Sequence, residues 1–169
     1  MGTRNILKRG DPQLLKKSRE VTNFNQRLHT LLDDMRETLI SANGLGLAAP
    51  QVGVLRNAAL VVDTTGDEDE IIELINPAII ENDGIQEGPE GCLSIPGVWG
   101  IVKRPLHVIV RAQDRFGNSF EREGSGLTAR AFCHEIDHLH GVLFDKVAER
   151  ILSPEEADEY TSDRGAEND

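Results

Sequence analysis

"CHEIDHLHG", residues 133–141, sets two histidines four positions apart with a glutamate directly after the first. On an α-helix, residues four apart stack on one face, so His134 and His138 can turn ring nitrogens toward one ion. Glu135 then stands within reach of a water on that ion. The competing reading is a charged surface helix whose histidines bind nothing. The preceding residues support a helix of some kind. Leu127, Ala131, His134, Ile136 and His138 follow helical spacing from Leu127 to about His140, and Gly141 is a natural stop.

A catalytic metal site takes three protein ligands and keeps a fourth position for water. Downstream, His140 lies two positions past His138, about 200° around the helix, and faces away. Glu149 and Glu155 remain open as third ligands, although no pattern singles them out. Upstream, "EGPEGCLSIPG" (87–97) carries Cys92 among Gly88, Gly91 and Gly97. Those glycines allow the backbone tight conformations that bring a thiolate close to a helix. An ordinary core cysteine is the alternative there. Cys133 sits about 100° from His134 on the helix and reads as core or as support behind the ligands.

A third segment is "GLGLAAPQVG" (44–53). It has little side chain to pack, which suits either a small-residue turn or a backbone that a ligand approaches closely. Gln51 is its one strongly polar side chain. A carboxamide N–H there can donate to a developing oxyanion.

The remaining chain reads as α+β. Phe24, Leu28, Leu31, Leu32, Met35 and Leu39 form one helical stripe over 24–41, with Thr22 or Asn23 as cap and Asn43-Gly44 as stop. Strands are expected at 57–65, 71–80, 98–104 and 106–114. Pro77 puts an edge or a bulge in the second. "RFGN" (115–118) turns into a further strand, "SFEREG". The order predicts mostly antiparallel sheet packed around the helix that carries HEIDH. One catalytic domain is expected over 1–150, followed by a short tail at 151–169.

The chain has 169 residues and a net charge of −11, which argues against gripping nucleic acid or an anionic membrane. Much of the excess lies at the end, where the acids from Glu155 to Asp169 face the single base Arg164. That tail is expected to be solvated. No stretch is apolar enough to span a membrane, and the N-terminus lacks the apolar region of a signal peptide. The expected location is therefore the cytoplasm, where Cys92 and Cys133 stay reduced.

Taken together and in order, "GLGLAAPQVG", "EGCLSIPG" and "HEIDH" resemble the three motifs of the peptide deformylases, G-x-G-x-A-A-x-Q, E-G-C-x-S and H-E-x-x-H. "GDP" at 10–12, "INP" at 75–77 and "GIVKRP" at 100–105 are similar to the family as well. The resemblance covers about residues 4–147. It implies that Cys92, His134 and His138 hold one divalent metal ion. Fe²⁺ is the expected working ion, with Zn²⁺, Ni²⁺ or Co²⁺ as occupants on isolation. It implies Glu135 as general base and then acid, with the Gln51 side chain and the Leu93 backbone N–H flanking the oxyanion. Gly46 would bond the substrate backbone, Leu45 and Leu127 would line a methionine pocket, and Arg104 would contact the peptide. The implied substrates are nascent peptides that begin with formylmethionine, and formate is released. No membrane or specific nucleic-acid partner is implied, and proximity to the ribosome would not run through a basic tail.

Two departures from the family bear on this. Many members carry Gln where this chain has Cys133. Arg130 stands one turn before His134, where some members place an apolar residue in the methionine pocket; a guanidinium turned inward there would shift side-chain preference. Two other readings compete with the resemblance: a zinc peptidase with a downstream glutamate ligand, and a binding module that uses metal for stability alone.

Overall fold

The computed structural model describes residues 2–160. In chain order the elements are α1 (Gln26–Ala42), β1 (Gly46–Ala48), β2 (Ala58–Asp63), β3 (Glu70–Asp83), β4 (Gln86–Cys92), β5 (Ile95–Arg104), β6 (His107–Gln113), β7 (Ser119–Ser125), α2 (Leu127–Leu139), α3 (Phe144–Val147) and β8 (Arg150–Ile151). They build two antiparallel sheets, β1-β2-β3-β6-β7 and β4-β5-β8. Among the described residues no helix is long and apolar enough to cross a membrane.

The larger sheet is covered on both faces, and β2 shows why. Successive strand residues point to opposite faces. Leu60 joins the cluster around Leu28, Leu32, Met35 and Leu39 of α1, whereas Val61 joins Phe132, Cys133 and Ile136 of α2. A strand buried on both faces reads as the continuous apolar run seen here rather than as an alternation. β6 does alternate, with Val108, Val110 and Ala112 buried.

Several boundaries differ from expectation for local reasons. Asn25 caps α1, because its side chain accepts from the Leu28 N–H; Thr22 and Asn23 lie too early. β3 is an interior strand, so Pro77 marks a bulge and no edge. The register breaks between Ile75 and Ala78, with Asn76 at φ 52°. The Asn76 side chain holds that kink by bonding Val21 and Gln113. The 87–97 stretch, in which no strand was expected, supplies most of β4. The boundary expected at 150 falls inside β8. The next residues also pack on the body, with Leu152 and Ala157 against Ile101 and Trp99. The first part of the acidic tail is thus a helical segment over 154–160 whose acids Glu155, Asp158 and Glu159 are exposed. Residues 161–169 lie outside the described residues.

Candidate metal centre and active site

Helix α2 supplies His134, Glu135 and His138, and strand β4 supplies Cys92. One helical turn advances about 6 Å over four residues, and two strand residues advance about 6.7 Å. Two residues of a strand can therefore serve two positions one turn apart on a helix. Glu90 and Cys92 do this. The Cys92 Sγ lies 3.3 Å from His138 Nε2, while Glu90 Oε2 lies 2.7 Å from His134 Nδ1.

The two Nε2 atoms face each other at 3.2 Å, and the two nitrogens and the sulfur all lie within 4.8 Å of one another. Metal bonds of about 2.05 Å to nitrogen and 2.3 Å to sulfur at tetrahedral angles put donors roughly 3.3–3.6 Å apart. Two of the three separations, 3.2 Å between the nitrogens and 3.3 Å from the sulfur to His138, are close to the edges of such a tetrahedron. The donor chemistry fits too. The His134 Nδ1–H donates to the Glu90 carboxylate, which fixes the ring with Nε2 turned toward His138 Nε2. Burial and the neighbouring His134 push the His138 pKa down, so its ring is neutral. These residues suit a divalent cation.

Glu90 is the hub behind the ligands and was not singled out from the sequence. Its Oε1 accepts from Arg104 Nε and Arg130 Nη1, both at 3.0 Å. Its Oε2 accepts from Arg104 Nη2 and His134 Nδ1, both at 2.7 Å. The four acceptor positions of the carboxylate are filled. Burial opposes its charge, but the bonds from His134 and Arg104 prevail and hold its pKa at about 2. Arg104 Nη1 continues to Asp137 Oδ2 at 2.6 Å, tying β5 to α2. Arg104 is thus placed behind the site, 7% exposed, with all three nitrogens committed. The expected contact with a peptide is not what its position provides. The expectation failed because Arg-Pro ends a strand, and the sequence does not say which way the arginine turns.

In front of the ligands is a cavity of ≈ 340 Å³ lined by Leu45, Gly46, Gln51, Leu93, Leu127 and Glu135, among others. Glu135 is 4% exposed, and its Oε1 has no partner among the described residues. Burial pushes its pKa up to about 7 against the pull of the His134 charge. Gly46 makes room for this carboxylate: a Cβ there would lie 2.8 Å from Glu135 Cδ. Gln51 sits in a 3₁₀ turn over Ala49–Val52. The Ala48 N–H donates to Gln51 Oε1 at 2.9 Å, which turns the amide nitrogen toward Ser94 Oγ at 3.1 Å and Cys92 Sγ at 3.6 Å. Ser94 is a second residue that the sequence reading left without a role. Both it and Glu90 lie inside the E-G-C-x-S motif, which was the available signal.

Cys133 packs in the core beneath the large sheet, and burial raises its thiol pKa to about 11. It is no ligand. His140 is exposed and lies outside the ligand cluster.

The profile of the polypeptide deformylase family matches residues 3–151. The chain belongs to that family. A peptide deformylase of Caldicellulosiruptor bescii is 53% identical over 96% of this chain and 95% of the relative. Among solved structures, a peptide deformylase from Legionella pneumophila superimposes with a TM-score of 0.82 at 40% identity, covering 96% of this chain and 98% of that one. A Met-Ala-Ser-bound class I type b peptide deformylase from Acinetobacter baumannii gives a TM-score of 0.81 at 32% identity over 86% of this chain and 98% of that one. The protein is accordingly a metal-dependent hydrolase that removes the N-formyl group from the formylmethionine of nascent polypeptides.

Proposed function

We propose that Cys92, His134 and His138 hold the catalytic cation, that Glu135 moves the proton, and that Gln51 with the Leu93 backbone stabilises the developing charge. The observation that carries this is the convergence of one sulfur and two ring nitrogens beside a buried carboxylate whose Oε1 has no partner among the described residues. A divalent cation at these donors supplies Lewis acidity and lowers the pKa of water toward neutrality.

The chain's own residues account for the remaining steps. The Glu135 carboxylate takes a proton as water oxygen joins the formyl carbon, and returns it to the amine as the C–N bond breaks. Negative charge gathers on the formyl oxygen. Gln51 can meet it by giving up the long 3.6 Å contact to Cys92 Sγ while keeping Ser94. One such donor lowers the barrier by ~3 kcal/mol. The crowding of Glu135 against Gly46 suits a formyl hydrogen and disfavours larger acyl groups.

The peptide lies extended along Gly46. Strand β1 is at the edge of its sheet and pairs only with β2, and β4 is at the edge of the other sheet; both line the cavity. An incoming strand satisfies these free edges by main-chain bonds. Leu45 and Leu127, 38% and 37% exposed, offer apolar surface for the methionine. The Met-Ala-Ser peptide bound to the Acinetobacter enzyme is what such a reaction would leave behind.

Fe²⁺ is the working ion in this reading. A mixed thiolate and imidazole set also takes Zn²⁺, Co²⁺ and Ni²⁺, and affinity alone favours the later metals. The enzyme acts in the cytoplasm, near ribosomes, and the acidic residues from Glu155 to Asp169 do not favour docking on RNA. Residues up to Ala157 belong to the catalytic body. The test is formate release from formyl-Met-Ala-Ser by protein purified without air. A chelator should abolish it, and Fe²⁺ should restore more of it than Zn²⁺. Full turnover by the stripped protein would remove the cation from the reaction.

A further inference from the structure

One polar group in the cavity has no part in the deformylation chemistry described above. Arg130 is 6% exposed and lines the cavity. Its Nη1 is fixed, donating to Glu90 Oε1 at 3.0 Å and to the Val102 carbonyl at 3.1 Å. Its Nε and Nη2 make no hydrogen bond among the described residues, and neither is a sealed-off orphan. These N–H groups therefore reach accessible space, and the space that Arg130 borders is the cavity.

The position along the helix matters. His134, Ala131 and Arg130, and Leu127 occupy successive turns of α2, and all line the cavity. A methionine whose formyl group sits at His134 and Glu135 must send its side chain along this stripe. The four residues from His134 to Arg130 advance about 6 Å, and an extended methionine carries its sulfur about that far from the formyl carbon, so the sulfur comes level with Arg130.

The charge state matters as well. Arg130 and Arg104 are balanced by Glu90 and Asp137 in one connected network. The unused N–H groups thus act as strong hydrogen-bond donors with little net positive field. Such a donor suits a neutral, strongly polar acceptor near the end of a straight side chain, more than it suits a carboxylate. An oxidised methionine carries that acceptor on its sulfur.

We propose that Arg130 makes this pocket competent for N-terminal methionine sulfoxide, so that the protein also deformylates formylmethionine-sulfoxide peptides. This rests on the deformylase reading of the same site. The step is the same amide hydrolysis: water oxygen joins the formyl carbon, the C–N bond breaks, the amine takes the proton, and the sulfoxide is unchanged. An apolar pocket would reject the sulfoxide, because its oxygen would be buried without a partner.

The test compares formyl-Met-Ala-Ser with its sulfoxide in the parent and in Arg130→Met and Arg130→Lys, reading the ratio of kcat/KM within each protein. A general loss of fold or metal cancels in that ratio. The parent should discriminate against the sulfoxide by less than about tenfold, and the methionine variant should widen the gap by roughly another tenfold or more. A second readout is free of turnover: calorimetric binding of Met-Ala-Ser and Met-sulfoxide-Ala-Ser should show the same change in ratio. Equal ratios in parent and Arg130→Met, or rejection of the sulfoxide by the parent, overturn the proposal. Absence of formate from the unoxidised peptide would instead overturn the deformylase reading, while the binding ratio still judges the role of Arg130.

Discussion

The two long helices bury very different things. α1 buries a stripe made of Leu28, Leu31, Leu32, Met35 and Leu39, with Asp34 and Thr38 at its margin. α2 is four residues shorter and buried nearly all round, and its buried positions include Arg130, His134, Glu135 and His138. An amphipathic stripe needs only a sheet to lie on. Buried charge needs partners, because desolvation costs far more than packing returns. The structure supplies them on one side of α2 through Glu90, Arg104 and Asp137, and leaves Thr128 Oγ1, Glu135 Oε1 and His138 Nδ1 without partners among the described residues. Saturation marks the supporting side of the helix, and of the open groups the Glu135 carboxylate is the one that borders the cavity.

The sharpest way to break this contrast is Glu135→Gln. It keeps the shape and removes the proton carrier. Activity on formyl-Met-Ala-Ser should fall about a thousandfold, an increase of ~4 kcal/mol in the barrier. Melting temperature and metal content should stay near those of the parent. Turnover within tenfold of the parent would take the proton transfer away from this residue.

On α1 the reverse is expected. Leu32 is fully buried in the cluster beneath the large sheet. Leu32→Ala should destabilise the fold by about 3 kcal/mol, read by urea unfolding, as large-to-small changes in packed cores do. Below the transition the folded fraction should keep the parent's kcat. A large loss of kcat in folded protein would mean that α1 also shapes the site.

A smaller effect tests the supporting side of α2. Glu90→Gln leaves His134 Nδ1 a neutral acceptor and should weaken metal binding roughly 10–100-fold, as losses behind a ligand do. It also changes the response to acid. The folded-state pKa of Glu90, about 2, lies below its ordinary value of 4.5. Its contribution to stability is therefore complete above about pH 4.5 and is lost as pH falls toward 2. The variant should lack that part of the acid slope in a pH series of thermal melts. Identical slopes would show that Glu90 holds no depressed pKa.

How much of this was legible depended on whether local pattern decided the outcome. His134 and His138 were readable because helical spacing alone puts both on one face. The antiparallel strands and α1 were readable from alternation and stripe. Cys92 was a candidate from its flanking glycines, but an ordinary core cysteine stayed open until the family resemblance, since no spacing rule connects a strand to a helix 42 positions away. β1 was missed because three small residues carry no alternation, and its pairing with β2 is a tertiary fact. Arg104 was misplaced because the direction of a long side chain at a strand end depends on Glu90 and Asp137, which the sequence does not bring near it. Glu90 itself lay within a quoted motif and had no role until His134 Nδ1 was seen to point at it.

The smallest of these effects concerns how α1 begins. Asn25 has extended backbone angles, and its side chain accepts from the Leu28 N–H at 3.2 Å. That bond satisfies one of the four donors that a helix start leaves open. Phe24, just before the cap, packs against the core and fixes the entry of the chain. Asn25→Ala should cost about 1 kcal/mol in urea unfolding, and Asn25→Asp should largely keep the parent's stability, since a carboxylate accepts the same bond and favours the helix N-terminus. Neither change touches α2, so formate release by folded protein should match the parent in both. If Asn25→Ala is neutral, the entry of α1 is held by Phe24 and the stripe alone, and the ordinary helix of this fold depends even less on its polar residues than the contrast with α2 requires.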